Sequence, residues 1–225
     1  MIVAERKPIA KIEEMVAPYP RVLMVGCGTC VAVCLAGGDK EVQILAEELR
    51  LKARAEGRDQ VFDEVTLTRQ CDREYLDLIA ARVDDYDALL STACGAGVQY
   101  LAERYDSKRV LPALDTRFIG VAMGAGEWQQ RCLACADCVL DRTGGICPKT
   151  MCAKGLVNGP CGGTNHGKCE VNPETDCAWT LIYERLKKQD RLDLMRSIAP
   201  MKRHQPSTHP ARFHHMAYKR LDGEL

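Results

Sequence analysis

Short apolar runs alternate with amphipathic stretches along the first 125 residues. The run from Arg21 to Gly26 is almost wholly apolar and leads into Gly-Cys-Gly, a pattern typical of a buried strand followed by a tight turn. Asp39 can then cap a helix that ends near Gly57. The apolar residues of this helix recur at i, i+3, i+4 and i+7 and are Val42, Leu45, Ala46 and Leu49.

The same alternation continues through the rest of this region. In chain order it predicts a strand at 61–67, a helix at 72–83, a strand at 87–94, a helix at 98–105, and one or two more strands at 109–113 and 118–122. Strands and helices that alternate at these spacings favour the α/β class, with a parallel sheet covered on both faces. We expect a flavodoxin-like order, in which the second, first, third and fourth predicted strands lie side by side.

Cysteines follow the carboxyl ends of the first three predicted strands. Cys27, Cys71 and Cys94 hold these positions, so in a flavodoxin-like sheet they meet at the crevice where such sheets bind ligands. Cys30 and Cys34 come from the glycine-rich turn beside this crevice. The five cysteines predict one [4Fe-4S] cluster in the amino-terminal half. A cluster needs four ligands, so the choice of four stays open and one or two cysteines are expected only to pack in the core.

The other eight cysteines fall within 46 residues, where apolar periodicity is almost absent. They are Cys132, Cys135, Cys138, Cys147, Cys152, Cys161, Cys169 and Cys177. Cysteines at 132, 135 and 138 followed by Cys147-Pro148 reproduce the order of a bacterial ferredoxin run, with the last interval lengthened to eight residues. The pattern predicts a small ferredoxin-like domain with two [4Fe-4S] clusters.

The division of these eight cysteines between two clusters follows the ferredoxin rule that the cysteine before proline serves the other cluster. One set is then Cys132, Cys135, Cys138 and Cys177, and the other is Cys147, Cys152, Cys161 and Cys169. Zinc in one of the sites stays open as an alternative. Structural zinc favours cysteine pairs two to four residues apart, and only Cys132 with Cys135 forms a clean pair.

The change in cysteine spacing also predicts the domain organisation. An α/β domain with a cysteine-lined sheet edge is expected at 1–126, followed by the cysteine-rich domain at 127–200. The second domain ends in a helix whose apolar stripe begins at Trp179. Residues 201–225 form a basic tail, interpreted either as a solvated terminus or as an arm that wraps a partner subunit.

Charge and composition restrict the classes of function. Lys plus Arg and Asp plus Glu both number 31, so no electrostatic bias toward nucleic acid exists. No apolar run approaches the roughly 20 residues needed to span a bilayer, and the first residues lack the apolar region of a signal peptide, so we expect a cytoplasmic protein. Thirteen cysteines among 225 residues are too many for idle thiols in a reduced cytoplasm and too few for a secreted disulfide scaffold, which favours metal binding.

Two groups of motifs resemble the MetV family, also called the methylenetetrahydrofolate reductase C-terminal domain family. The carboxyl-terminal group comprises CLACADC at 132–138, GGICP at 144–148, CAKGLVNGPCGG at 152–163 and GKCEV at 167–171. The amino-terminal group comprises VGCGTC at 25–30, RQC at 69–71 and ACGAGVQ at 93–99. The resemblance covers about residues 20 to 200 and leaves the end of the chain unmatched.

The resemblance implies an iron–sulfur subunit that binds a flavin-containing, barrel-fold MetF-type subunit. The complex would reduce 5,10-methylenetetrahydrofolate to 5-methyltetrahydrofolate in the methyl branch of acetyl-CoA metabolism. No paired acid and base suggest a folate pocket in this chain, so FMN and the catalytic chemistry are expected in the partner. The chain would pass electrons from ferredoxin or another donor protein to that flavin.

Two alternatives belong to other classes of function. The first is a zinc-binding structural or regulatory subunit of the same partner. The second, a thiol–disulfide enzyme, is weaker because no Cys-x-x-Cys opens a thioredoxin-type unit, and the pair Cys27 and Cys30 comes nearest.

Overall fold

The computed structural model describes residues 1–198, 200–201 and 209–213. The chain divides into two compact units, Met1–Gln129 and Gln130–Leu225, which are described separately. The predicted basic tail at 201–225 lies largely outside the described residues. Within the part of the chain that the structure describes, no helix combines the length and apolar character needed to cross a membrane.

The first unit combines strands and helices in alternation. Its strands are β1 (Ile2–Arg6), β2 (Arg21–Cys27), β3 (Val61–Leu67), β4 (Ala88–Ser91), β5 (Arg109–Pro112), β6 (Leu114–Gly124) and the first half of β7 (Glu127–Cys132), which continues past Gln129. Its helices are α1 (Ile9–Val16), α2 (Cys30–Val33), α3 (Asp39–Ala55), α4 (Arg73–Leu76), α5 (Ala80–Val83) and α6 (Gly95–Arg104), with a 3-10 turn at Asp77–Ile79.

Four strands form a parallel sheet in the order β3-β2-β4-β5. In terms of the predicted strands, the order is second, first, third and fourth, so the predicted order of this parallel sheet is confirmed. The side chains of β2 alternate between two buried clusters, with Val22 and Met24 on the side of α3 and Leu23 and Val25 on the other. Both faces of the sheet are therefore covered, as a parallel sheet requires.

A second, antiparallel sheet was not predicted from the sequence. It has the order β1-β6-β7, and β1 pairs with β6 so that Ile2 lies opposite Ile119. The strand predicted at 118–122 belongs to this sheet and not to the parallel one. Because the paired residues are more than a hundred positions apart, local periodicity carries no signal for the pairing.

The helix predicted at 72–83 is interrupted. Asp72 caps α4, where its carboxylate accepts a hydrogen bond from the Glu74 amide at 3.3 Å, but a 3-10 turn then separates α4 from α5. Side chains three residues apart align in a 3-10 turn, which keeps Leu76 and Ile79 on the buried side. The apolar stripe expected here, Tyr75, Leu78, Ile79 and Val83, is therefore confirmed only in part: Ile79 and Val83 are buried, whereas Leu78 is exposed and Leu76, which the stripe omitted, is buried.

The second unit has little regular structure among its described residues. It contains α7 (Pro148–Met151), α8 (Ala178–Lys188) and a 3-10 turn at Leu192–Met195. Its buried hydrophobic cluster consists of Trp179, Ile182 and Leu186, all on the predicted stripe of α8. Isolated β-bridges join Lys168 to Asn165 and to Asp176. The ferredoxin-like character of this unit stays a prediction.

Candidate metal centres

The carboxyl edge of the parallel sheet brings together three of the predicted ligands: Cys27, Cys71 and Cys94, here called the thiol edge. Cys27 is the last residue of β2 and pairs with Leu67, the last residue of β3, four positions before Cys71. Cys94 follows β4 by three residues and caps α6. Although Cys71 is exposed as a residue, partial desolvation of its sulfur raises the pKa of the thiol, and the neighbouring Cys27 and Cys94 raise it further.

Cys30 and Cys34 occupy different environments although they are four residues apart. Cys30 is half-buried and begins α2, three residues after Cys27. Cys34 is buried, and its sulfur lies 3.5 Å from the Ala4 amide, the Ala4 carbonyl and the Val31 carbonyl. The Cys34 side chain therefore packs against β1 as a satisfied core residue.

Gly37 fixes the loop that follows α2 against the thiol edge. Its carbonyl accepts hydrogen bonds from the Cys27 amide at 2.9 Å and from the Thr92 hydroxyl at 3.0 Å. A Cβ atom at Gly37 would lie only 1.9 Å from the Thr92 carbonyl oxygen. Only glycine allows this close approach. No local sequence pattern marks Gly37 for this role, because its partner Thr92 lies 55 residues further along the chain.

The first three cysteines of the second unit lie in a tightly turned segment. Ala134 and Ala136 have φ values of 50° and 57°, a left-handed conformation that costs alanine about 1 kcal/mol or more. The turn points the Ala134 amide at the Cys132 sulfur, 3.3 Å away. Amide donors of this kind hold and tune sulfur ligands in iron–sulfur sites.

The middle cysteines of this unit are held by short turns. Cys147 caps α7, and Cys152 follows its last residue. Cys161 lies in the glycine-rich loop, where its thiol donates to the Glu170 carboxylate at 3.2 Å, and the same carboxylate is ion-paired with Lys154. The Cys161 thiol must give up this contact to bind metal as a thiolate.

Backbone hydrogen bonds hold the segments of the last two cysteines, Cys169 and Cys177, close to the turn at Gly167. The Cys177 amide donates to the Gly167 carbonyl at 2.8 Å, and the Cys169 amide donates to the Thr175 carbonyl at 3.0 Å. Cys177 also caps α8. Burial alone would raise the pKa of Cys177, but hydrogen bonding from the Thr180 and Trp179 amides and from the Thr180 and Thr164 hydroxyls outweighs it and lowers the pKa.

This lowered pKa gives a pH-dependent prediction for the reduced, metal-free chain. Because its pKa is lowered, a larger fraction of Cys177 is thiolate at any pH below the ordinary pKa of a cysteine. Cys71, whose pKa is raised, is less ionised than an ordinary cysteine over the same range. Below about pH 8 iodoacetamide should therefore alkylate Cys177 faster than the more exposed Cys71, since the gain in thiolate exceeds the loss of nucleophilicity.

Peptide mass spectrometry of samples quenched at several pH values measures both rates in one chain. Thr180→Val should bring the alkylation rate of Cys177 closer to that of Cys71, because it removes one hydroxyl that lowers the pKa of Cys177. Equal rates at Cys177 and Cys71 across this range would contradict the account.

No group of three or more His, Cys, Asp or Glu residues among those the structure describes is arranged to hold a metal ion. All thirteen cysteines are nevertheless outside disulfides. Among the described residues of the second unit, the buried hydrophobic cluster has three members, and a core of that size contributes little to folding unless metal adds to it. Thiol donors, amides directed at sulfur and a small core together fit bound iron–sulfur clusters or zinc.

Comparison with known proteins gives one match. The family model described as methylene-tetrahydrofolate reductase C terminal matches residues 111–205, which include all eight cysteines of the second unit. This match confirms the resemblance for the carboxyl-terminal group of motifs and is consistent with the MetV-type family, whereas the amino-terminal group of motifs and the thiol edge lie outside it. No curated protein and no solved structure matches the chain.

Proposed function

From the match of residues 111–205 to the methylene-tetrahydrofolate reductase C-terminal family, we propose that the chain is the iron–sulfur electron-transfer subunit of such a reductase. The electrons would pass to the flavin of a MetF-type partner, which reduces 5,10-methylenetetrahydrofolate to 5-methyltetrahydrofolate. The observation that carries the proposal is the presence of eight cysteines, with their ferredoxin-like order, inside the matched segment.

The residues of this chain would hold, orient and shield the electron carriers. Bound iron–sulfur clusters supply one-electron transfer, which suits the charging of a flavin before it delivers a hydride. The Ala134 amide donates to the Cys132 sulfur, and the amides at the start of α8 lower the pKa of Cys177, so both favour negative charge on sulfur. Trp179 is buried beside Cys177, and its indole donates to the Leu156 carbonyl at 3.0 Å, so the ring excludes water on that side.

We assign the ligands of the second unit as two sets of four. Cys177 joins Cys132, Cys135 and Cys138, while Cys147, Cys152, Cys161 and Cys169 form the other set. At the thiol edge, Cys30 is the fourth ligand because it follows Cys27 by three residues. Cys34 is left out because its sulfur already contacts the backbone of Ala4 and Val31.

A pair of alanine variants tests this assignment of the amino-terminal ligands. Cys71→Ala should lower the iron and acid-labile sulfide of anaerobically purified protein by about four atoms each per chain. Cys34→Ala should leave both unchanged, because it removes only a small packed side chain. An equal loss of iron in the two variants would contradict the assignment, and zinc without iron in the unsubstituted chain would favour the structural zinc subunit instead.

A further inference from the structure

One buried side-chain amide connects the three segments that carry the thiol edge. Gln70, which precedes Cys71, is completely buried. Its Nε2 donates to the Val25 carbonyl at 2.7 Å and to the Gly26 carbonyl at 3.1 Å. Its Oε1 accepts a hydrogen bond from the Ser91 hydroxyl at 2.7 Å. Both donors and the acceptor of the amide are thus engaged.

Each bond reaches a segment that leads directly into another cysteine. Val25 and Gly26 are the two residues before Cys27. The Ser91 hydroxyl also accepts from the Ala93 amide at 3.2 Å, and Ala93 precedes Cys94. The ends of β2 and β4 and the segment after β3 are consequently joined through Gln70.

Packing around Gln70 leaves little freedom for this arrangement. A Cβ atom at Gly97 would lie 3.0 Å from the Gln70 Cβ and 2.7 Å from the Ala93 Cβ. The first turn of α6, which Cys94 caps, is therefore pressed directly against the amide network. Because buried polar groups are costly to leave unpaired, loss of the amide would disturb all three segments together.

We propose that Gln70 is the positioning residue of the thiol edge and sets the spacing of Cys27, Cys71 and Cys94 so that they can bind one cluster. The inference rests on the proposed function only for the identity of the bound group. The three cysteines follow the same edge of the sheet, because β2, which ends at Cys27, is paired with β3 on one side and with β4 on the other.

Gln60 provides a matched control at the opposite edge of the same sheet. Its Nε2 also donates to backbone carbonyls, those of Val16 at 3.0 Å, Ala17 at 3.4 Å and Tyr19 at 2.9 Å, and its Oε1 accepts a hydrogen bond from Arg58 at 2.7 Å. Gln60 immediately precedes β3, whereas Gln70 follows it. Gln60→Met and Gln70→Met therefore remove similar hydrogen bonds from the same unit, but only the second change affects the thiol edge.

The first measurement uses the full, reduced, metal-free chain and a thiol-bridging reagent, dibromobimane. Mass spectrometry gives the rate at which Cys71 becomes linked to Cys27 or Cys94. Gln70→Met should slow this bridging about tenfold, since the network contributes more than one net hydrogen bond. Ser91→Ala should slow it less, and Gln60→Met should leave it unchanged.

The second measurement uses anaerobically purified protein. Gln70→Met should either lower iron by about four atoms per chain or change the paramagnetic resonance signal and midpoint potential of the amino-terminal cluster. Paramagnetic signals that persist in Cys71→Ala are assigned to the second unit, and these signals should be unchanged in Gln70→Met. Gln60→Met should match the unsubstituted chain in every signal.

Bridging rates and cluster signals that stay unchanged in both Gln70→Met and Ser91→Ala would overturn the inference. If Gln70→Met does not fold, as judged by circular dichroism, the milder Ser91→Ala decides the result by the same criterion. Slower bridging in a chain that holds no amino-terminal cluster would support the role of Gln70 in placing the thiols and would refute the proposed function at this site alone.

Discussion

Cys135→Ala, produced together with the flavin-containing partner, should lower ferredoxin- or viologen-driven reduction of methylenetetrahydrofolate by about a hundredfold or more. Loss of a residue that only supports a metal ligand already costs about ten- to a hundredfold, and Cys135 is assigned as a ligand itself. The central cysteine of the 132–138 run cannot be replaced by a neighbour without rebuilding the turn at Ala134 and Ala136. Steady-state rates with saturating donor measure the loss.

The matched control for this experiment is Cys34→Ala, which removes a cysteine that the structure places in the core. Its rate should equal that of the unsubstituted complex. The far-ultraviolet circular dichroism of Cys135→Ala should remain that of a folded α/β protein, because the parallel sheet belongs to the other unit. Full turnover in Cys135→Ala would show that electron transfer to the partner's flavin does not require this cysteine-rich unit.

Gly37→Ala should destabilise the first unit by about 3 kcal/mol and remove the amino-terminal cluster. The added methyl group would lie 1.9 Å from the Thr92 carbonyl oxygen, so either this loop or the end of β4 must move. The movement would break the hydrogen bonds from Cys27 and Thr92 to the Gly37 carbonyl. Urea unfolding followed by circular dichroism measures the change in stability, and iron analysis measures the loss of the cluster.

Gly124→Ala is the control, because no atom lies within 4 Å of the position that its Cβ would occupy. Its free energy of unfolding should change by no more than about 0.5 kcal/mol. An unchanged unfolding midpoint in Gly37→Ala would mean that the loop after α2 is not held tightly against the sheet edge.

The parallel sheet could be predicted because its strands are marked locally. Buried runs such as β2, the amphipathic helix α3 and cysteines just beyond the strand ends are properties of short segments. The predicted cap of α3 was wrong in detail: Gly38 holds the N-cap position, no side chain caps the helix, and Asp39 is its first residue. Once the strand order is taken as flavodoxin-like, the positions of Cys27, Cys71 and Cys94 at one edge follow from the geometry of parallel strands.

The antiparallel sheet and the environment of Cys34 could not be predicted in this way. Both depend on β1, which is brought to β6 from the other end of the unit. Cys34 is satisfied by the backbone of Ala4, thirty residues before it, so spacing alone made it look equivalent to Cys30. Likewise, nothing in the local sequence marks Gln70 as a residue with three buried partners, since its hydrogen bonds reach β2 and β4.

The cysteine-rich unit poses a different problem for sequence interpretation. The order of its cysteines indicated iron–sulfur chemistry, and the family match covers the same segment. Its described residues form turns around a small cluster centred on Trp179, and such turns have no hydrophobic periodicity to read. Bound metal would supply the organisation that apolar burial does not.

Iron and acid-labile sulfide analysis of the anaerobically purified complex, combined with paramagnetic resonance after reduction, tests the central claim most directly. The account predicts brown protein with about twelve irons and twelve sulfides per chain, from three clusters of four, and reducible paramagnetic signals. Colourless protein that contains zinc or no metal, with no signal on reduction, would contradict electron transfer by this chain.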